Sequence, residues 1–217
     1  MRQKVSIGFL LSGLYLASLI QPMEAQNNTK LSNRKISCQE KWWAVRHPFI
    51  SKKAFTLTKH SLAVTDSLRS NKCLDGNING GQLDAFKHAY WMAIVVQDFK
   101  WKKAKSLGLA HENANYRSYV KASKKGLIDG HDQVSSDMDF WNNEKGLAIG
   151  LVCKCCDINL LKQIVMDSIK GGSMKIIRTN SKGEFLDNGG NVLPVENYYG
   201  KWMNDKCLVP SNYKMDK

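Results

Sequence analysis

Past its first 25 residues the 217-residue sequence has no apolar run approaching the roughly 20 residues a membrane span needs, so no transmembrane helix is expected in the body of the chain. There is no H-E-x-x-H, which removes the commonest helical zinc signature. There is no G-x-S-x-G, so a serine nucleophile has no recognisable setting. The single C-x-x-C, Cys153 to Cys156, has no second copy at zinc-ribbon spacing and no βαβ pattern around it, which argues against both a structural zinc site and a thioredoxin-like centre. Internal repeats and low-complexity tracts are also absent. Acidic residues are few, 19 against 32 Lys and Arg, for a formal net charge of +13. Such an excess favours polyanionic surroundings: an anionic polymer, a lipid surface, nucleic acid or acidic glycan. The lysines are nevertheless spread out, with short clusters only at Lys100 to Lys105 and Lys121 to Lys125, and general solubility accounts for them equally well.

What is present begins with a leader. Arg2 and Lys4 precede a 16-residue apolar stretch, Val5 to Ile20, and Met23-Glu24-Ala25 offers a small residue for cleavage. This predicts a signal peptide over residues 1–25 and a periplasmic or extracellular destination. Residues 26–37 are polar and turn-rich and read as a flexible mature terminus. The remainder, 38–217, is long enough for one domain with a real core. Without Arg2, Lys4 and Glu24 the mature chain keeps a net charge of +12. Its cysteines are Cys38, Cys73, Cys153, Cys155, Cys156 and Cys207, an even number that in an exported chain predicts disulfides. Adjacent Cys155 and Cys156 are poor partners for each other. The cluster is therefore expected to reach out to Cys38, Cys73 and Cys207 and to staple both ends of the chain to its middle.

Apolar residues recur at helical intervals through most of the chain. Helices are expected at about 38–46 and 49–69, the second opening beside Pro48. A loop over "NKCLDGNINGGQ" follows, then a long helix over about 82–106 in which Ala85, Ala89 and Ala93 would let another helix approach closely. Gly108 is expected to end it, and a further helix carries "LAHENANYRSYVKASKK". Two more begin at "MDFWNNEKGLAIGLV" and "DINLLKQIVMDSIK", the latter ended by Gly171 and Gly172. "MKIIRT" and "GEFLD" around the turn "NSKG" read as a small hairpin within a C-terminal region, 171–217, that Cys207 would tie down. The fold class expected is mostly α: one disulfide-stapled helical domain with a small C-terminal β-hairpin.

Within this helical body lie polar residues at telling intervals. Asp84 and His88, four apart, share a helix face, so the carboxylate can orient or charge the imidazole. Asp139, Asn142 and Asn143 gather on one side of another helix. His111 and Glu112 are neighbours whose side chains diverge by about 100°. Such groups suit a helical hydrolase acting on an anionic envelope component or phosphodiester, in one of two forms. With a divalent cation, Zn or Ca, His88, His111 and an acid such as Asp139 would bind the ion while a second carboxylate activates water. Without one, His88 would be the base, Asp84 its orienter, and Asn142 or Asn143 a donor to developing charge, with Glu112 a further acid. The competing reading is a non-enzymatic exported binding or structural protein whose polar patches fix helix packing. "DGNING" matches the opening of a calcium loop, but position twelve is Phe86 in place of glutamate, which favours an Asx-rich turn. His47 and His131 read as packing and loop residues.

The segments "DAFKHAYWMA", "AHENAN" and "MDFWNNEKGLAIG", spanning about residues 74–150, resemble a family of exported bacterial proteins marked by DAF[RK]HAYW, AHE and MDxxNNxxG and described only as a domain of unknown function. Related segments occur in the termini of some polymorphic toxins. The resemblance implies that Asp84, His88, Trp91, His111, Glu112, Asp139, Asn142 and Asn143 are characteristic positions and implies no chemistry for them. The cysteine cluster, the basic tail and the lack of delivery domains depart from the toxin pattern.

Overall fold

The computed structural model describes residues 36–71 and 73–214; the expected signal peptide, and residues 26–35 of the expected mature terminus, lie outside the described residues. Six long helices follow one another. The first, α1 (Cys38–Arg46), starts at a capping box in which Ser37 and Glu40 satisfy each other's backbone amides. A sharp turn at His47, whose ring stacks on Trp43 and bonds its carbonyl oxygen, leads into α2 (Pro48–Arg69), with proline in the first turn where no amide proton is missed.

The loop before α3 (Gln82–Asp98) is held by Asp75, whose carboxylate accepts from the backbone amides of Asn77, Gln82 and Leu83. The calcium-loop resemblance is therefore spent on starting a helix. Gly80 adopts φ +93°, and a Cβ on Gly81 would overlap Asp75, which is why glycines occupy both positions.

Of the 17 residues of α3, 13 are buried, because α2, α4 (Trp101–Ser123), α5 (Gln133–Val152) and α6 (Ile158–Lys170) surround it. The expected long helix thus breaks earlier than Gly108. Phe99 turns to extended geometry, and α4 begins with an exposed Trp101 that does not share the core face of α3. Gly108 lies inside α4, where a Cβ would press to 3.3 Å from Met92 Sδ.

Helix α5 (Gln133–Val152) starts earlier than expected because Asp132 caps it through the amide of Ser135. It crosses α3 at close range along the small residues Ala89, Ala93, Gly146 and Gly150, since a Cβ on Gly146 would fall 2.7 Å from Ala89 Cα. Helix α6 (Ile158–Lys170) is capped by Asp157 and closes the bundle.

Cys153 and Cys156 are joined by a disulfide at the end of α5, where Gln97 donates to both of their carbonyl oxygens. Cys38, Cys73, Cys155 and Cys207 are free thiols, so the expected stapling of both chain ends is not made. A C-x-x-C straddling the last turn of a helix already has its sulfurs close, which favours this pair.

The C-terminal region is held instead by the buried ion pair of Lys206 Nζ with Asp132 Oδ2, 2.7 Å apart, the ammonium also lying over the rings of Phe185 and Tyr198. The expected hairpin survives as a bridge between Thr179 and Phe185 across the "NSKG" turn. The regular ladder joins β1 (Lys175–Ile177) antiparallel to the later β2 (Leu208–Pro210), with the short helix α7 (Val195–Tyr198) between them. Among the described residues no helix is long and apolar enough to cross a membrane.

Candidate functional site

At the meeting of α3, α4 and α5 three carboxylates converge on one imidazole. His88, on the second turn of α3, is 2% exposed and is faced by Asp139 Oδ1 at 3.2 Å, Asp84 Oδ1 at 3.7 Å and Glu112 Oε1 at 3.7 Å. The helix repeat explains each approach: Asp84 is one turn below His88, while α4 and α5 cross α3 at that level. Asp84 sits in the first turn of α3, favourable to its charge, and its Oδ2 accepts the amide of Gly80 at 2.7 Å, fixing the carboxylate so that Oδ1 faces the cluster.

Glu112 forms the floor. Its Oε1 accepts from Asn143 Nδ2 at 3.0 Å and its Oε2 from Asn115 Nδ2 at 3.1 Å. Asn143 Oδ1 in turn lies 3.3 Å from His88 Nδ1. His111 stands beside His88 with ring centroids 5.8 Å apart, edge-on to Trp91, and its Nδ1 lies 3.1 Å from Glu40 Oε1 on α1. The divergence expected of the adjacent pair is only partial: His111 reaches Glu40 on α1 through Nδ1, yet ligand-type atoms of His111 and Glu112 still lie within 4.8 Å of each other beside His88.

Among the described residues two sets of ligand-type atoms fall within 4.8 Å of one another: His88, His111 and Glu112; and Asp84, His88 and Asp139. The expected site residues Asp84, His88, His111, Glu112, Asp139 and Asn143 are therefore brought together. Asn142 is not. Its amide is bound on both sides by the backbone of Lys175, donating to the carbonyl oxygen and accepting the N–H at 2.9 Å each, so it anchors β1 to α5.

Lys87 belongs to the cluster and was not anticipated from the sequence. Its ammonium pairs with Asp84 Oδ1. Burial works against its charge, yet the carboxylates of Asp84, Asp139 and Glu112 together hold its pKa above the ordinary lysine value. Its position three residues after Asp84 in "DAFK" was the available signal, masked by the abundance of lysines elsewhere. Glu40, 71 residues from His111, offered none beyond its capping box.

Charge inside the cluster is unbalanced. Three acids face one lysine and two imidazoles, and Asp139 responds most: burial, then the charges of Glu112 and Asp84, raise its pKa well above the carboxylate range, only partly offset by Lys87. Exposure of the side chains rises from 0% at Glu112 through 2% at His88 to 12% at Asp139 and 23% at Lys87. The cluster is thus buried throughout, closed at Glu112 and nearest to solvent at Lys87, with Asp139 and His111 equally covered. Hydrogen-bonded donors orient the floor, and the charged groups nearest solvent are those able to exchange a proton or hold a small ligand.

A family model for a domain of unknown function, DUF6973, matches residues 41–173, a span that takes in the whole cluster apart from Glu40. No curated protein and no solved structure matches the chain.

Proposed function

The chain belongs to the DUF6973 family, whose description carries no activity, and from the cluster itself we propose that it is an exported hydrolase activating water at the Asp84–His88–Asp139 corner. The supporting observation is the convergence of three carboxylates on His88 from three helices, in a buried cluster whose most exposed side chain is that of Lys87. In this reading the corner takes a proton from water, the resulting hydroxide oxygen bonds to the electrophilic centre as the leaving oxygen departs, and the proton returns to complete the leaving group. Lys87 stabilises the negative charge that develops. An anionic envelope component or a phosphodiester suits the Lys87 ammonium and the net positive charge of the chain. Export follows from the leader at residues 1–25.

Turnover of a chromogenic phosphodiester by the purified mature protein tests this. His88→Ala and Asp139→Ala are expected to lower kcat/KM at least 100-fold while far-UV circular dichroism is retained. Unchanged turnover in both folded variants rejects the reading.

The near-complete burial of His88 and Glu112 favours a second reading: a non-enzymatic exported binding or structural protein in which the cluster fixes helix packing and the lysines engage an anionic polymer or lipid surface. It predicts salt-sensitive binding to anionic vesicles that survives His88→Ala, with no turnover by the parent protein.

A further inference from the structure

The hydrogen bonds of the floor determine which way His88 faces. A carboxylate only accepts, so the Asn143 nitrogen must point at Glu112 and its oxygen at His88 Nδ1. Nδ1 therefore carries a proton, and Nε2 is the atom directed between the carboxylate oxygens of Asp139 and Asp84. A bare lone pair there would repel two acceptors, so something positive belongs between them. A proton can fill that place in the metal-free protein, but among the described residues no hydrogen bond of regular geometry reaches the buried Oδ1 of Asp84 or of Asp139, although Lys87 Nζ and His88 Nε2 lie within ion-pair distance of them. A metal ion would satisfy both oxygens and Nε2 at once.

We propose that Asp84, His88 and Asp139 are the ligands of a divalent metal ion of the zinc class, with Asn143 and Glu112 orienting His88 from behind. Tetrahedral bonds of zinc length place donor atoms about 3.4 Å apart, and the Nε2 separations of 3.2 and 3.7 Å bracket that value. Three protein ligands leave a fourth position for water, and the cluster lies nearest to solvent at Lys87. An imidazole nitrogen in the set selects zinc-class ions over calcium or magnesium, which prefer oxygen alone.

The rival set of His88, His111 and Glu112 is weaker at Glu112, both of whose oxygens already accept amide protons. Donors on both oxygens are the arrangement of an outer-shell carboxylate, which fixes ligand direction. The Lys87 ammonium on Asp84 Oδ1 sits where it competes with the ion, so metal entry displaces it.

The ion's role as water activator rests on the hydrolase reading, but its presence is measurable separately. Metal-stripped full-length mature protein is titrated with Zn²⁺ against a chromophoric chelator. One ion per chain is expected, with affinity reduced at least 100-fold in His88→Gln and in Asp139→Asn. His111→Gln is expected to change it by less than tenfold. Lys87→Met, which leaves every ligand in place, is expected to tighten binding about tenfold, a gain that a purely structural lysine would not give. Failure to bind, or binding that survives His88→Gln and Asp139→Asn together, overturns the site; in the latter case a thiolate charge-transfer band with Co²⁺ would identify the free cysteines as the binder. Zinc bound without turnover of any phosphodiester keeps the site and removes the hydrolase. Turnover that persists in chelator by a protein binding no zinc keeps the hydrolase and removes the site.

Discussion

Two neighbouring asparagines with the same chemistry have different duties here. Both were candidate donors to a reacting centre, since each recurs on one side of its helix with Asp139. Asn143 turns its amide to Glu112 and His88; Asn142 gives both of its polar atoms to the backbone of Lys175. A spacing argument could not separate them, because the distinction depends on a strand 33 residues away. Asn142→Ala leaves a part-buried backbone donor and acceptor without this partner, a loss of about 1–2 kcal/mol each. Chemical denaturation is expected to show destabilisation within about 2–4 kcal/mol while the folded fraction keeps its full turnover and zinc affinity.

At the same scale, Asp84, His88 and Glu112 were readable because sequence proximity or helical spacing marks them, whereas the alliance of His111 with Glu40 and the part of Lys87 needed the folded chain.

Helix α3 shows how far local pattern carries. Its alanines announced a close crossing, and α5 meets them with Gly146 and Gly150. Its end was misjudged because a glycine inside a helix reads as a stop, while Gly108 is there to clear Met92. Glycine in a helix interior ordinarily costs about 1 kcal/mol relative to alanine. At Gly146 the sign reverses: a methyl group would overlap the Ala89 carbonyl oxygen and force α5 outward. Gly146→Ala is expected to destabilise by about 2–3 kcal/mol in urea denaturation. It should also weaken zinc binding, since the same crossing sets the distance between His88 and Asp139.

For the whole molecule, apolar periodicity correctly indicated a mostly helical fold with little sheet, whereas the cysteine count misdirected the cross-links. Six cysteines in an exported-type chain pointed to staples across the fold, yet the one disulfide closes only the loop from Cys153 to Cys156. The tail is held by charge: Lys206 and Asp132 are both almost fully buried, and removing one leaves the other unpaired. Lys206→Ala is expected to cost about 3–5 kcal/mol, measured as a fall in Tm, whereas Cys207→Ser leaves Tm within a degree or two.

The stability of the whole chain also registers whether the buried acids exist for function or for packing. The raised pKa of Asp139 means the folded protein binds a proton that the unfolded chain releases near the ordinary value of about 4. Stability is therefore undiminished below that pH and is lost as pH rises through the folded pKa. Asparagine at 139 is neutral and nearly isosteric, so it escapes this penalty. The most direct test is the unfolding free energy of Asp139→Asn against the parent protein, both in chelator at pH 8. A gain of about 1 kcal/mol or more is the predicted result, the mark of a site that gives up stability for its chemistry; a loss of about 2 kcal/mol or more would contradict it and make the cluster a lock on the fold.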